Sequence, residues 1–283
     1  MKIAVLSGKG GTGKTFVAVN LAAAAGLRDG AVYADCDVEE PNGDLFFSVA
    51  DARRQEVCRF VPAFDEACCD ACRACVSFCR FHALMCVGHA PRVFAEMCHS
   101  CGGCALVCPH DAVTMQPRRV GLLQQATVGR LSVIGGKMEP GEASGMPIVH
   151  AVLHASDAID APVKVIDGPP GSACLAGGCA ANADFCLLVT EPTAFGLHNL
   201  AMVHELVRVL KKPCAVVINK QTVPYEPLEV YCSQNGLAVL ERFFYTRQVA
   251  QACTRGEIVA LTQPAAWQMR FQTLLARIGE MVQ

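Results

Sequence analysis

A glycine-rich segment near the start of the chain restricts the fold more than any other feature of the sequence. The segment follows the apolar run Lys2–Ser7 and precedes a helical pattern that begins at Lys14. Its pattern, G-x-x-x-x-G-K-[ST] between a strand and a helix, is typical of a loop whose backbone N–H groups surround phosphate oxygens. The lysine then reaches the β- and γ-phosphates, and the final hydroxyl binds Mg²⁺. The predicted nucleotide site consists of Gly8, Lys9, Gly10, Gly11, Thr12, Gly13, Lys14 and Thr15.

Short apolar runs alternate with helical patterns through most of the chain, which indicates an α/β fold with a mostly parallel sheet covered on both faces. The predicted strands are Lys2–Ser7, Ala31–Asp35, Val163–Asp167, Phe185–Thr190, Ala215–Asn219 and Ala238–Phe244. The predicted helices are Lys14–Gly26, Pro147–Ser156, Gly196–Leu210, Pro227–Asn235, Gln248–Arg255 and Ala265–Val282. Two stretches rich in glycine and proline, 135–145 and 168–178, are predicted to be loops at strand ends.

A cysteine-dense segment interrupts this alternation and repeats itself after 29 residues. The shift superimposes Cys69, Cys72, Cys75 and Cys79 on Cys98, Cys101, Cys104 and Cys108. We therefore predict a small α+β domain of ferredoxin-like type over residues 58–119, inserted into an α/β domain formed by residues 1–57 and 120–283.

The spacing C-x2-C-x2-C-x3-C, present twice, is that of bacterial two-cluster ferredoxins, in which the fourth cysteine of each motif ligates the other cluster. The expected [4Fe–4S] ligands are Cys69, Cys72, Cys75 and Cys108 for cluster I, and Cys98, Cys101, Cys104 and Cys79 for cluster II. Zinc is the alternative, but a zinc knuckle leaves the third evenly spaced cysteine of each motif unexplained. Cys68 competes with Cys69 for the first position with a poorer spacing. Arg80 replaces the proline that follows the second motif, and its charge beside Cys79 is expected to raise the potential of cluster II slightly.

Composition excludes several functional classes. The chain has 283 residues, 18 cysteines and a net charge of −2, so it lacks the basic surplus of a nucleic-acid-binding protein. No apolar run is long enough to cross a membrane, and the start lacks the pattern of a signal peptide. We therefore expect a cytoplasmic protein whose many cysteines bind metal rather than form disulfides.

Two aspartates and one asparagine follow predicted strands at the edge where the phosphate loop lies. Asp37 follows the second strand, Asp167 ends a later one, and Asn219 ends another. Carboxylates in such positions can hold Mg²⁺ or orient an attacking water molecule. Asn219 is followed by Lys220-Gln221-Thr222 without the aspartate of an N-K-x-D loop, which favours ATP over GTP.

The additional lysine at position 9 makes the loop similar to that of the deviant Walker A ATPases of the MinD, Mrp and nitrogenase-iron-protein group, which reads K-G-G-x-G-K-[ST]. The resemblance implies that Lys9 reaches the nucleotide of a partner subunit across an ATP-sandwiched dimer. It also implies that Asp37 orients water or contacts Mg²⁺, that Asp167 is the Walker B residue, and that Asn219 reads adenine. Cys174, seven residues after Asp167, corresponds to a cysteine that binds an intersubunit cluster in one member of this group.

The leading hypothesis is a Mg²⁺-dependent ATPase that couples its nucleotide state to electron transfer through two [4Fe–4S] clusters. Its expected partners are ATP, a second copy or a related ATPase in a dimer, and a redox or iron–sulfur partner protein. An iron–sulfur carrier of Mrp type is one alternative, and a MinD-like spatial organiser with redox-sensing clusters is another. The apolar stripe of the last predicted helix could grip a membrane, but its polar face is hardly basic, which favours packing in the core.

Overall fold

The computed structural model describes residues 1–27, 29–47, 49 and 51–282, which divide into two compact units. The first unit comprises Met1–Gln55, Leu123–Lys137 and Ile148–Gln283, and the second comprises Glu56–Leu122 and Met138–Pro147. The cysteine pattern gives no hint that the segment 138–147 belongs with the second unit.

Strands and helices alternate through the first unit, as the apolar periodicity predicts. The described elements of both units have the following bounds. The strands described are β1 (Lys2–Leu6), β2 (Ala31–Asp35), β3 (Arg53–Phe64), β4 (Leu84–Cys86), β5 (Pro91–Val93), β6 (Val113–Val128), β7 (Leu131–Met138), β8 (Val163–Asp167), β9 (Phe185–Thr190), β10 (Cys214–Gln221) and β11 (Val239–Phe244). The helices described are α1 (Lys14–Gly26), α2 (Ala74–Phe78), α3 (Gly103–Leu106), α4 (Met146–Asp157), α5 (Cys174–Asn182), α6 (Ala194–Val209), α7 (Glu226–Gln234), α8 (Arg247–Thr254), α9 (Val259–Thr262) and α10 (Pro264–Val282).

The main sheet has the strand order β11-β10-β9-β1-β8-β2-β7-β6-β3. Strand β1 pairs in parallel with β8 and β9, and β2 pairs in parallel with β7 and β8. The register places Asp167 beside both Val5 and Asp35, so the carboxyl ends of these strands lie at one edge of the sheet. The prediction of an α/β fold with a mostly parallel sheet is confirmed.

Sequence patterns missed five of the described strands, β3 to β7, and four of the described helices, α2, α3, α5 and α9. Strand β3 begins with four exposed residues, 53–56, and therefore lacks the apolar run that marks a buried strand. Strand β7 runs through Gly135 and Gly136, where a loop was predicted. A Cβ on Gly136 would lie 2.5 Å from Cγ2 of Ile148, so this glycine is required by close packing of the strand against α4. Likewise α5 begins at Cys174, inside the second predicted loop.

Helix α10 packs into the core of the first unit through its apolar stripe. Trp267, Phe271, Leu274 and Ile278 are buried, and Phe271 is in ring contact with Phe16, Phe243 and Trp267. The prediction of a core-packing helix is thereby confirmed. No described helix is both long and apolar enough to cross a bilayer.

The second unit is small and has its own apolar cluster. Strands β4 and β5 form an antiparallel pair, and α2 and α3 each follow the second cysteine of one motif. The cluster is built on Cys75, Leu84, Cys104 and Val113, which form two pairs related by the 29-residue shift. The sequence repeat is therefore also a structural repeat.

Replacing Phe271 by alanine should lower the free energy of unfolding by about 3–5 kcal/mol, because the ring is fully buried among three other aromatic rings. Urea unfolding followed by the fluorescence of Trp267, the single tryptophan, measures the effect. Met269→Ala on the same helix is the matched control, since Met269 is 72% exposed and should change stability by no more than about 0.5 kcal/mol. Equal losses in the two variants would contradict a core role for the helix.

Candidate functional site

The glycine-rich loop connects β1 to α1, and two of its glycines are required by close contacts. A Cβ on Gly8 would lie 2.2 Å from the backbone oxygen of Asn199, and a Cβ on Gly13 would lie 2.1 Å from Nδ2 of Asn219. Gly13 also has a left-handed backbone with φ of 86°. Asn219 Nδ2 donates a hydrogen bond to the Thr12 carbonyl oxygen at 2.8 Å, which ties the end of β10 to the loop.

Lys14 is buried at the centre of the site and is neutralised by an aspartate. Its Nζ donates to Oδ1 of Asp167 at 2.5 Å and lies 4.0 Å from Oδ2 of Asp37. The other oxygen of Asp167 accepts a hydrogen bond from the Tyr33 hydroxyl at 2.9 Å. Burial works to lower the pKa of Lys14, but the Asp167 carboxylate outweighs it with the help of Asp37 and raises this pKa. Lys14 therefore stays charged, ready to bind an anion.

Asp35, which the sequence analysis did not select as a site residue, fixes the segment that carries Asp37. Its carboxylate accepts hydrogen bonds from the backbone N–H groups of Asp37 at 3.1 Å and Gly43 at 2.8 Å. The signal that could have found it is its position as the last residue of a buried strand, one of two aspartates in Asp35-Cys36-Asp37.

Burial raises the pKa values of the Asp35 and Asp37 carboxyl groups. Desolvation, followed by the charge of Asp167, raises the pKa of Asp35 to about 7. The pKa of Asp37 rises to about 6 for the same reasons, although Lys14 opposes the rise. These carboxyl groups bind protons more tightly in the folded chain than in the unfolded chain. They therefore stabilise the fold at pH values below the unfolded pKa of about 3.9. That contribution is lost as the pH rises through about 6 and 7.

Lys9 forms an ion pair within its own chain. Its Nζ lies 2.9 Å from Oε2 of Glu191 and 5.0 Å from the centroid of the Phe195 ring. Glu191 also binds Lys220 at 2.9 Å, and Lys220 donates to the Gly11 carbonyl oxygen. Burial opposes ionisation of Glu191, but the hydrogen bonds from Lys220 and Lys9 lower its pKa. Glu191 and Lys220 were missed because a glutamate or lysine after a strand is a common surface feature.

A cavity of about 520 Å³ lies over the loop. Asp37 and Asn219 line it, and Phe244 and Tyr245 lie at its wall, each slightly more than half exposed. Its volume is within the range of small-molecule and cofactor pockets. The loop residues that line it are Lys9, Gly10, Gly11, Thr12, Gly13, Lys14 and Thr15.

A parallel sheet, a glycine-rich loop before α1 and a buried lysine beside strand-end carboxylates define a nucleotide-binding protein of the P-loop class. The sequence matches the CobQ/CobB/MinD/ParA nucleotide binding domain over residues 3–259. The chain therefore belongs to this family, as the resemblance of its loop predicted.

One sequence relative and two solved structures are similar to this chain. The chain is 31% identical over 222 residues to the uncharacterized protein MJ0578 of Methanocaldococcus jannaschii, which covers 78% of each chain. Its fold is similar to that of the cell division ATPase MinD of Pyrococcus furiosus, with a TM-score of 0.59, 17% identity and coverage of 98% of both chains. The septum site-determining protein MinD of Pyrococcus horikoshii, complexed with Mg-ADP, gives a TM-score of 0.61 at 15% identity over 98% of this chain and 95% of that one.

The eight motif cysteines lie around two separate cavities in the second unit. In each set, three cysteines come from one motif and the fourth comes from the other. Cys69, Cys72, Cys75 and Cys108 line the first cavity, of about 10 Å³. Cys98, Cys101, Cys104 and Cys79 line the second, of about 70 Å³. Cys68 is absent from the lining of both cavities.

Backbone conformation repeats along with the cysteines. Ala71, Arg73 and His82 have positive φ values of 59°, 63° and 52°, and their counterparts after the 29-residue shift are Ser100, Gly102 and Asp111 at 55°, 70° and 50°. Such conformations are costly for residues with a side chain and persist only where their surroundings impose them. In the second loop the Ser100 N–H donates to Cys98 Sγ at 3.4 Å, so the backbone there turns its amide toward the sulfur of a motif cysteine.

Within the described residues, no three His, Cys, Asp or Glu side chains converge closely enough to hold a single metal ion. In a four-iron cube each thiolate binds a different iron, so the ligands stand further apart than around one ion. The cavities are small, and the thiols would have to move apart to admit such a cube. Cys174 is exposed at the start of α5, whereas Cys179 is fully buried.

Mg²⁺ should strengthen ADP binding at neutral pH, and this gain should fade as the pH falls through about 6, because Asp37 then takes up a proton. Isothermal titration calorimetry with Mg²⁺ or with EDTA, repeated across the pH range, measures the gain. Asp37→Asn is the control for ionisation of the ADP phosphates over the same pH range. In this variant Mg²⁺ should hardly increase the affinity for ADP at any pH. A gain that survives in Asp37→Asn with an unchanged pH profile would exclude Asp37 from the magnesium site.

Proposed function

We propose that the protein is an iron–sulfur ATPase that acts as a dimer and couples its nucleotide state to electron transfer through two [4Fe–4S] clusters. The observation that carries this proposal is the distribution of the eight cysteines. Each cavity takes three cysteines from one motif and the fourth from the other, on a chain that also carries a phosphate loop.

The nucleotide half of the proposal assigns a task to each residue of the first site. Lys14 binds the β- and γ-phosphates in exchange for its contact with Asp167, and the Thr15 hydroxyl binds Mg²⁺. Asp37 orients the attacking water or contacts Mg²⁺, and Asp167 acts as the Walker B carboxylate. Asn219 reads adenine, and its bond to the Thr12 carbonyl oxygen already places it beside the loop. ATP hydrolysis follows from this set of groups.

Lys9 supports the proposal of a dimer. Its ion pair with Glu191 lies at the cavity that the nucleotide would occupy, and a phosphate of a partner's nucleotide would compete with Glu191 for the same ammonium group. When Lys9 moves to the partner's nucleotide, Glu191 would remain paired with Lys220, so its carboxylate would still have a positive neighbour. The partner can be a second copy or a related ATPase.

The residue types of the second unit support two four-iron clusters, which would bind once the thiols have moved apart. Four thiols line each cavity, and the repeated left-handed backbone winds both loops in the same way. In the part of the chain that the structure describes, the Ser100 hydroxyl oxygen is buried without a hydrogen-bond partner, which the sulfur atoms of a cluster would provide. When bound, the clusters would supply one-electron redox chemistry, while the chain sets their exposure and electrostatics.

Nucleotide and clusters can influence each other only if the two nucleotide states differ in free energy of cluster reduction or of partner binding. The segments after Asp37 and Asp167 are the ones that a γ-phosphate would reorder. Asp35 holds the first of them through two backbone bonds, and the second unit begins at Glu56, nineteen residues after Asp37. We propose this segment as the mechanical link.

A second candidate function is that of an iron–sulfur carrier. Cys72 and Cys101, one in each ligand set, are exposed, so an acceptor protein could reach a ligand of either cluster. A carrier would pass its clusters to an apo-protein, whereas an electron-transfer ATPase would keep its iron through repeated cycles of reduction and oxidation.

Anaerobically purified protein should contain about eight iron atoms per chain, four for each cluster. Cys69→Ser should lower this to about four, whereas Cys68→Ser, its matched neighbour outside the ligand set, should keep all eight. Iron assay with EPR of the reduced protein measures both. Iron content near zero in the unmodified protein would reject the clusters, and equal loss in the two variants would reject the ligand assignment.

Reduction of the clusters should change the dissociation constant for ATP by about fivefold or more, the low end of ordinary allosteric coupling. By reciprocity, ATP should then shift the midpoint potential of at least one cluster. Anaerobic calorimetry on oxidised and reduced protein, with ATP turnover measured in parallel, tests this. Lys14→Ala is the control, since it should lose ATP binding and keep its iron. Equal affinity for ATP and equal ATP turnover in both redox states would show that the nucleotide site and the clusters act independently, and would reject coupling.

A further inference from the structure

The 29-residue repeat allows the two cysteine cavities to be compared position by position. Ligands at equivalent positions have the same degree of exposure: Cys75 is 8% exposed and Cys104 is 9% exposed, and Cys72 and Cys101 are both exposed. Solvent access therefore does not distinguish the two sites. What distinguishes them is the residues between the cysteines.

Ser100 is the first difference, since its counterpart in the first loop is Ala71. Both residues have the same left-handed backbone, with φ of 55° and 59°. The Ser100 hydroxyl oxygen is buried and has no hydrogen-bond partner among the described residues, although the proposed ligands flank it at positions 98 and 101. A buried hydroxyl without an acceptor is costly, and the sulfur atoms of a cluster are the acceptors that this loop would enclose. The first loop has no hydroxyl to offer.

Charge is the second difference. The charged side chains that line the first cavity are Asp70 and Arg73, which offset each other. His110 lines it too, with Nε2 2.9 Å from Oδ2 of Asp70, and Asp70 accepts a hydrogen bond from the Cys72 N–H at 3.1 Å. The second cavity has His99 in place of Asp70, and Arg80 is the charged side chain in its lining. Each lining contains one histidine, so the second cavity is the more positive of the two by the single charge of Arg80.

We infer that the cluster held by Cys98, Cys101, Cys104 and Cys79 has the higher reduction potential, with the Ser100 hydroxyl as a hydrogen-bond donor that helps to set it. The inference rests on the proposed function, because it needs both clusters to be present. Reduction moves one electron, and no proton, from an external one-electron donor to a cluster, whose negative charge increases by one. Hydrogen-bond donors and positive charges stabilise the reduced form and so raise the potential. The first electron to enter the chain therefore resides at the second cavity.

Two single-cluster variants identify which potential belongs to which cavity. In an anaerobic titration with dithionite followed by EPR, Cys69→Ser should keep the cluster of higher potential, and Cys98→Ser should keep the one of lower potential. If the two variants showed equal potentials or the reverse order, the inference would be overturned. Their iron content and EPR signals would still support the presence of the clusters. Iron content near zero in the unmodified protein would instead remove the proposed function itself.

A reciprocal pair of substitutions isolates the hydroxyl. Ser100→Ala should lower the potential of the second cluster and leave the first unchanged, whereas Ala71→Ser should raise the potential of the first and leave the second unchanged. Either shift in the stated direction supports the role of the hydroxyl, and if Ser100→Ala fails to fold, Ala71→Ser decides alone. Loaded variants whose potentials match those of the unmodified protein would refute the role of Ser100.

Discussion

The buried contact between Lys14 and Asp167 is the interaction on which the first unit depends. It joins the start of α1 to the end of β8, and Tyr33 on β2 holds the second oxygen of the same carboxylate. Three elements thus meet at one carboxyl group, at the edge where parallel strands end. Removal of Lys14 would leave the Asp167 carboxylate buried without its ion-pair partner, which is strongly destabilising. The same arrangement keeps a charged ammonium group beneath the cavity, where a phosphate can replace the carboxylate.

The second unit obeys a different constraint. It is too small to rely on a large apolar core, and half of its central cluster consists of the cysteines Cys75 and Cys104. Its loops adopt left-handed backbone at matched positions, although several of the residues there carry side chains that disfavour it. Under the proposed function, a bound cluster would supply stabilisation that apolar packing cannot, and metal binding would then be coupled to folding of this unit.

Local patterns predicted the first unit well, because buried parallel strands and amphipathic helices have clear periodicities. The strands Ala31–Asp35, Val163–Asp167 and Phe185–Thr190 and helix Lys14–Gly26 have the predicted bounds. Strand β3 was missed because its first four residues are exposed, and the end of β7 was mistaken for a loop because Gly136 serves close packing against α4. The roles of Glu191 and Asp35 escaped notice for a similar reason, since a single acidic residue near a strand end has many possible partners.

The sequence by itself determined the phosphate loop, the repeat of cysteine motifs and the α/β class, because each depends on spacing along the chain. Only the tertiary structure decided that Asp35 holds the segment of Asp37, that Glu191 holds both Lys9 and Lys220, and that Ser100 buries a hydroxyl without a partner. These contacts join residues whose side chains are ordinary in their local context. Their significance arises from burial and from neighbours on other elements, which remove water and leave each charge or donor dependent on one specific partner.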